Sequence, residues 1–159
     1  MNVDYKELMI GDWVSLFQGK KDGSSCNVKV TSLWRDYEVD IEGEDCEYDS
    51  ANPALLFPIP LTGEILEASG FEHCSSRALF EEYRMCFDED TDDETWLFIE
   101  IHPKNEHCPY RWAKIHYQPC FGFHHNGIET KINDCMVHDL QHVLRIAKID
   151  KKVNIQVQH

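Results

Sequence analysis

The chain has 159 residues, 42% of them apolar and 11% aromatic. That is enough to bury the core of one ordinary domain or two very small ones, and it excludes global disorder. A formal net charge of −14 repels phosphates and anionic lipid heads, which disfavours nucleic acid as a partner and leaves no case for a membrane surface.

No apolar run approaches the length of a membrane span. The opening residues, Met1-Asn2-Val3-Asp4-Tyr5-Lys6-Glu7, lack the basic start and apolar centre of a secretory leader. The cytoplasm is therefore the expected compartment. The seven cysteines, Cys26, Cys46, Cys74, Cys86, Cys108, Cys120 and Cys135, are odd in number and contain no C-x-x-C. In a reducing compartment they read as small apolar core residues rather than as a disulfide framework.

In chain order, Gly11-Asp12 is a turn signal and Trp13 to Phe17 a strand run. A second turn follows at residues 20–25. Asn27 to Trp34 alternates, with Val28 and Val30 on one face, and Tyr37, Val39 and Ile41 alternate again before Gly43. Short strands at this spacing predict a small SH3-like antiparallel β-barrel over residues 1–57. Pro58 and Pro60 then hold the chain extended. Thr62 can cap a short helix with Glu64 in its first turn, and Gly70 can close it in the left-handed conformation. Residues 58–71 are read as a Pro-rich joint and short helix.

Residues 72–159 are read as a β-meander with a C-terminal helix. Ala78 to Phe87 and Thr95 to His102 are strand-like and flank an acidic block at 88–94, expected to be a solvated hairpin loop. Tyr110 to Gln118 and Gly127 to Ile132 are further strand candidates. Asn133 or Asp134 can cap a helix through about Lys148. Met136, Val137, Leu140, Val143, Leu144 and Ala147 share one side of it, with His138, His142 and Arg145 opposite. Val153 to Val157 alternates like an edge strand. The expected class is α+β, an N-terminal barrel followed by a small antiparallel sheet packed with the C-terminal helix.

Three separated segments carry a resemblance. Glu7-Leu8-Met9-Ile10-Gly11-Asp12-Trp13-Val14 is similar to an opening E-L-x-I-G-N/D-x-V. Pro58-Ile59-Pro60-Leu61-Thr62, with Glu64, Leu66, Gly70 and Phe71, is similar to P-I-P-L-T-x-E-x-L-x-x-x-G-F. Val137-His138-Asp139-Leu140-Gln141 is similar to a closing V-H-x-L-Q. In this combination and order the chain resembles a family of small uncharacterised proteins from gut Bacteroides-type bacteria, their phages and mobile elements. Residues 75–130 match no motif of that family. After Gln141 the family continues into an aromatic pair and L-T-G, where this chain has Val143-Leu144-Arg145-Ile146. The resemblance implies a shared scaffold and a mobile-element setting, and it brings no activity or catalytic residue.

The sharpest chemical candidate is a His- and Cys-rich segment at 102–125. Cys108 and Cys120 with His124 or His125 could close a tetrahedral zinc site, although the spacing matches no standard knuckle. His138-Asp139-Leu140-Gln141-His142 looks like the zincin H-E-x-x-H with Asp for Glu. Asp is one methylene short for a general base, so a solvated helix surface is the expectation there. No G-x-S-x-G and no phosphate-cradling glycine loop occurs. An aromatic interaction face could be built from Trp13, Phe17, Trp34 and Tyr37. The leading reading is a non-enzymatic interaction or adaptor module with an unknown protein partner and no cofactor. A zinc-binding protein and an acidic DNA mimic, the latter using the 88–94 loop, are the alternatives.

Overall fold

A computed structural model describes residues 8–34, 38–77, 79–87, 95–104, 112–118, 128–146, 148–149 and 152–155. The chain is mixed α+β and divides into two compact units. The first combines residues 1–60 with 136–151, and the second 61–135 with 152–159.

In the first unit five strands, β1 (Trp13–Leu16), β2 (Cys26–Leu33), β3 (Val39–Glu42), β4 (Ser50–Ala51) and β5 (Leu56–Pro58), form a sheet in the order β4-β3-β2-β1-β5. Every pairing is antiparallel. The two-residue period of β2 decides which face is inside. Cys26, Val28 and Val30 are buried while Asn27, Lys29 and Thr31 are exposed. Val14, Leu16, Val39, Ile41 and Leu56 complete the core, and burial of each such side chain stabilises by about 1.5–3 kcal/mol. The expected closed barrel is not formed among the described residues: β4 and β5 are the two edges of the sheet, and no ladder joins them. A two-residue β4 and a β5 that ends at Pro58 leave little free edge to pair with another chain. Between them lies one turn of 3-10 helix, Pro53–Leu55, capped by Asn52, whose Oδ1 accepts the Ala54 N–H at 2.9 Å.

The longer helix, α2 (Val137–Ile146), groups with this first sheet, whereas the sequence reading packs it with the second. It also starts later than Asn133 or Asp134. Asp134 is itself left-handed at φ 48°. The start is set at Met136, whose N–H donates to Asp139 Oδ2 at 2.8 Å, half of a capping box with Asp in the third position. Val137 N–H donates to the Ile59 carbonyl at 2.8 Å, and Pro60 and Met136 form an isolated bridge.

The second unit opens with α1 (Gly63–Ala68). Thr62 Oγ1 accepts the Ile65 N–H, with Glu64 in the first turn. At the other end Gly70 is left-handed (φ 89°). Phe71 N–H returns to the Leu66 carbonyl and Gly70 N–H to Glu67, while Leu66 and Phe71 are both buried. This is a Schellman closure, with an apolar residue at each of the two positions that usually meet.

A five-stranded meander follows, in the order β10-β9-β8-β7-β6: β6 (Glu72–Arg77), β7 (Phe80–Phe87), β8 (Thr95–His102), β9 (Trp112–Gln118) and β10 (Ile128–Asn133). Tyr83, Ile99 and Ile115 align across β7, β8 and β9, with Met85, Leu97, Ile101 and Ala113 on the same buried face. The sequence reading has no strand at β6, because five of its six residues are polar and they carry no alternation. Pairing with β7 alone makes it a strand. Asn154 N–H donates to Ser69 Oγ at 2.8 Å, with Val153 and Ile155 buried on either side. Residues 152–155 are thus pinned without being a strand, and 156–157 lie outside the described residues, as does the acidic block 88–94.

Candidate functional site

Two features of the first unit concentrate polar chemistry and exposed apolar surface. The first is built on the Gly11-Asp12 turn. Gly11 is left-handed at φ 92°, and a Cβ there would sit 3.1 Å from Arg145 Nη2. Only glycine meets both demands without strain. The turn places Asp12, fully buried, against the polar side of α2. Its Oδ1 accepts Arg145 Nη1–H at 2.7 Å, while Oδ2 accepts the Met9 N–H at 2.8 Å and lies 2.9 Å from His142 Nε2. One turn earlier on the helix, Gln141 spans the same strand start: its Oε1 accepts the Trp13 N–H and its Nε2 donates to the Gly11 carbonyl, both at 2.9 Å.

This corrects the expected solvated face of α2. His138 is buried, and Gln141, His142 and Arg145, though half-buried or exposed, hold the start of a strand. The zincin-like pair is also turned to another use. His142 Nε2 is committed to Asp12, and the two imidazoles meet edge to face at 5.7 Å. Among the described residues no three His, Cys, Asp or Glu side chains converge as a metal would require. A buried carboxylate paired with a guanidinium and an imidazole is charge-compensated and hydrogen-bonded, which suits a clasp.

The second feature is a hollow of about 200 Å³ lined by Leu16, Phe17, Gln18, Tyr48, Ser50, Ala51, Asn52 and Leu55. β1 ends at Leu16, so Phe17 leaves the sheet and is 49% exposed; Tyr48 is 52% and Leu55 45% exposed. Phe17 is braced from one side by Phe57, edge to face at 6.2 Å, and its N–H donates to the Leu55 carbonyl at 3.0 Å. Gln18 on the rim is left-handed at φ 54°, a conformation costing a non-glycine residue about 1–2 kcal/mol. Glu47 and Asp49 are exposed on either side of Tyr48.

Of the expected aromatic face, Phe17 lines this hollow. Trp13 is half-buried on β1 beneath Gln141. Trp34 is exposed at the end of β2, its Nε1–H bonded to Asp40 at 2.8 Å. Tyr37 lies outside the described residues. Tyr48 and Leu55 are absent from the expected face. The only sequence signal for Tyr48 is an aromatic residue set singly in an acidic stretch, and Leu55 sits in the apolar run Ala54-Leu55-Leu56-Phe57, which does not say which of its members faces outward. Cys108, Cys120, His124 and His125 all lie outside the described residues. Of the same segment, His102 stacks on Trp112 with centroids 3.6 Å apart and lies 3.2 Å from Glu100, while His116 lies beside Phe98.

No protein-family model, no curated protein and no solved structure matches this chain.

Proposed function

We propose that the first unit is a non-enzymatic interaction module that holds an extended, basic segment of a partner protein, with one apolar side chain of that segment seated between Phe17, Tyr48 and Leu55. The observation that carries this reading is the convergence of three exposed apolar side chains on one hollow. Aromatic anchors in a pocket rimmed by polar groups are the usual energetic centre of a recognition site. Ser50, Asn52 and Gln18 offer that rim, and Glu47, Asp49 and the overall charge of −14 favour Lys or Arg in the partner.

The strand order, with a 3-10 turn leading into the last strand, supports an SH3-like descent for this open sheet, and peptide recognition is a common use of such modules. The resemblance to phage and mobile-element proteins makes an adaptor role in that setting the natural context.

The test is fluorescence anisotropy with labelled peptides that place a single Leu, Pro or Phe among Lys and Arg. Binding should weaken at least about tenfold in Tyr48→Ser and Leu55→Ser, the loss expected for an anchor worth about 1.4 kcal/mol or more. It should weaken also with added salt, while the melting temperature stays unchanged. Affinity indifferent to both substitutions would refute the reading.

A further inference from the structure

Cys26 and Cys46 are twenty residues apart in sequence and adjacent in the first unit. Cys26 opens β2 and is buried. Its sulfur fills the space above Gly19, where a Cβ would collide with Sγ. Cys46 lies on the 43–47 turn, half-buried against the same core. That turn is fixed to the 19–20 segment by Glu47 N–H to the Gly19 carbonyl at 3.0 Å and by the Lys20–Asp45 ion pair at 3.2 Å. Cys46 packs against the same buried cluster that holds Cys26, and its thiol donates to the Tyr48 carbonyl at 3.3 Å. A hollow of about 440 Å³ lined by residues 20–22 and 44–47 opens beside Cys46 and gives small solutes a way to it.

We infer that Cys26 and Cys46 are an oxidisable dithiol, which a peroxide closes into an intramolecular disulfide. The Cys46 thiolate, the more exposed of the two, attacks one peroxide oxygen and breaks the O–O bond, giving the sulfenic acid and hydroxide. Cys26 sulfur then attacks Cys46 sulfur. The S–S bond forms, hydroxide leaves, and the Cys26 proton makes it water. Two thiols lose two electrons and one peroxide becomes two waters. Burial, and then the neighbouring Cys46 thiol, pushes the Cys26 thiol up to about 11, so the second step should quicken as pH rises. Closure also removes the thiol donor from the Tyr48 carbonyl.

The experiment treats the full chain with stoichiometric hydrogen peroxide, alkylates the remaining thiols and maps the peptides. The expected product has lost two hydrogens and joins the peptides carrying residues 26 and 46, and a phosphine reductant reverses it. The melting temperature should rise by about 5–10 °C, as expected for a disulfide closing a loop of this length. Cys46→Ser should abolish the link, and Cys26→Ser should leave Cys46 to over-oxidise to the sulfinic acid. Three results would overturn the inference: sulfinic acid at Cys46 in the unaltered protein, linkage only among other cysteines, or both thiols still alkylated after treatment and unfolding.

Discussion

At the scale of single residues, Asp12 organises the most. Three partners converge on one fully buried carboxylate, so removing its charge strands Arg145 without a counter-ion. Asp12→Asn should lower unfolding free energy by about 3 kcal/mol in a urea titration. Gln141→Ala, which frees one backbone N–H and one carbonyl, should cost about 1–3 kcal/mol. A near-neutral Asp12→Asn would show the cluster to be solvated rather than a clasp.

Two other residues set the pH response. Burial and the bond to Glu81 raise the Tyr83 hydroxyl, and burial raises the Cys26 thiol from 9.0 to about 11. In both the folded state holds its proton more tightly than the unfolded chain does. The stability they contribute is therefore complete below the unfolded values, 9.0 for Cys26 and 10.0 for Tyr83; the Cys26 share is lost as pH climbs through about 11, and the Tyr83 share begins to fall above pH 10. Chemical denaturation from pH 8 to 11 should show midpoints falling across that window, and a flat profile would contradict these environments.

At the scale of elements, the readable ones are those whose rules are local. α1 was legible from Thr62, Glu64 and Gly70, because capping and left-handed closure involve neighbours in sequence. Thr95–His102 was legible because it is rich in β-branched and aromatic residues, and it is the strand found as β8. β6 was not, since five polar residues and Cys74 become a strand only when β7 supplies the hydrogen bonds.

The helix α2 shows a different limit. Its periodicity separated apolar from polar positions, but periodicity does not say what meets the polar side, and here it meets Asp12 and the start of β1. Between α1 and β7 there is a tight fit of the same non-local kind. A Cβ on Gly63 would collide with the Tyr83 hydroxyl, which itself donates to Glu81. Gly63→Ala should therefore destabilise by about 1–3 kcal/mol through overpacking, against the gain that helix propensity alone predicts. Gly63→Ala combined with Tyr83→Phe should recover part of the loss, measured as a double-mutant cycle.

At the scale of the whole molecule, the units are not contiguous blocks of sequence. The division expected at 57 and 71 follows the Pro-rich joint, whereas the first unit takes residues 136–151 back from the far end of the chain. A fragment of residues 1–60 therefore lacks α2 and leaves Asp12 without Arg145 and His142. It should be largely unfolded by circular dichroism, and adding residues 136–151 as a peptide or a linked segment should restore the signal. A cooperatively folded 1–60 fragment would show α2 to be dispensable. The high negative charge acts at this scale too, as self-repulsion spread over the surface.

The amino-acid order alone determined what depends on near neighbours: the α+β class, most strand and helix positions, the cap and closure of α1, and the three motifs at residues 7–14, 58–71 and 137–141. Only the tertiary structure decided that the last of these motifs closes on the first, that the sheet stays open, and that Phe17, Tyr48 and Leu55 share a hollow. Those outcomes rest on hydrogen bonds and packing between residues up to 133 positions apart, and such pairings are chosen by the collapsed chain as a whole rather than by any local pattern.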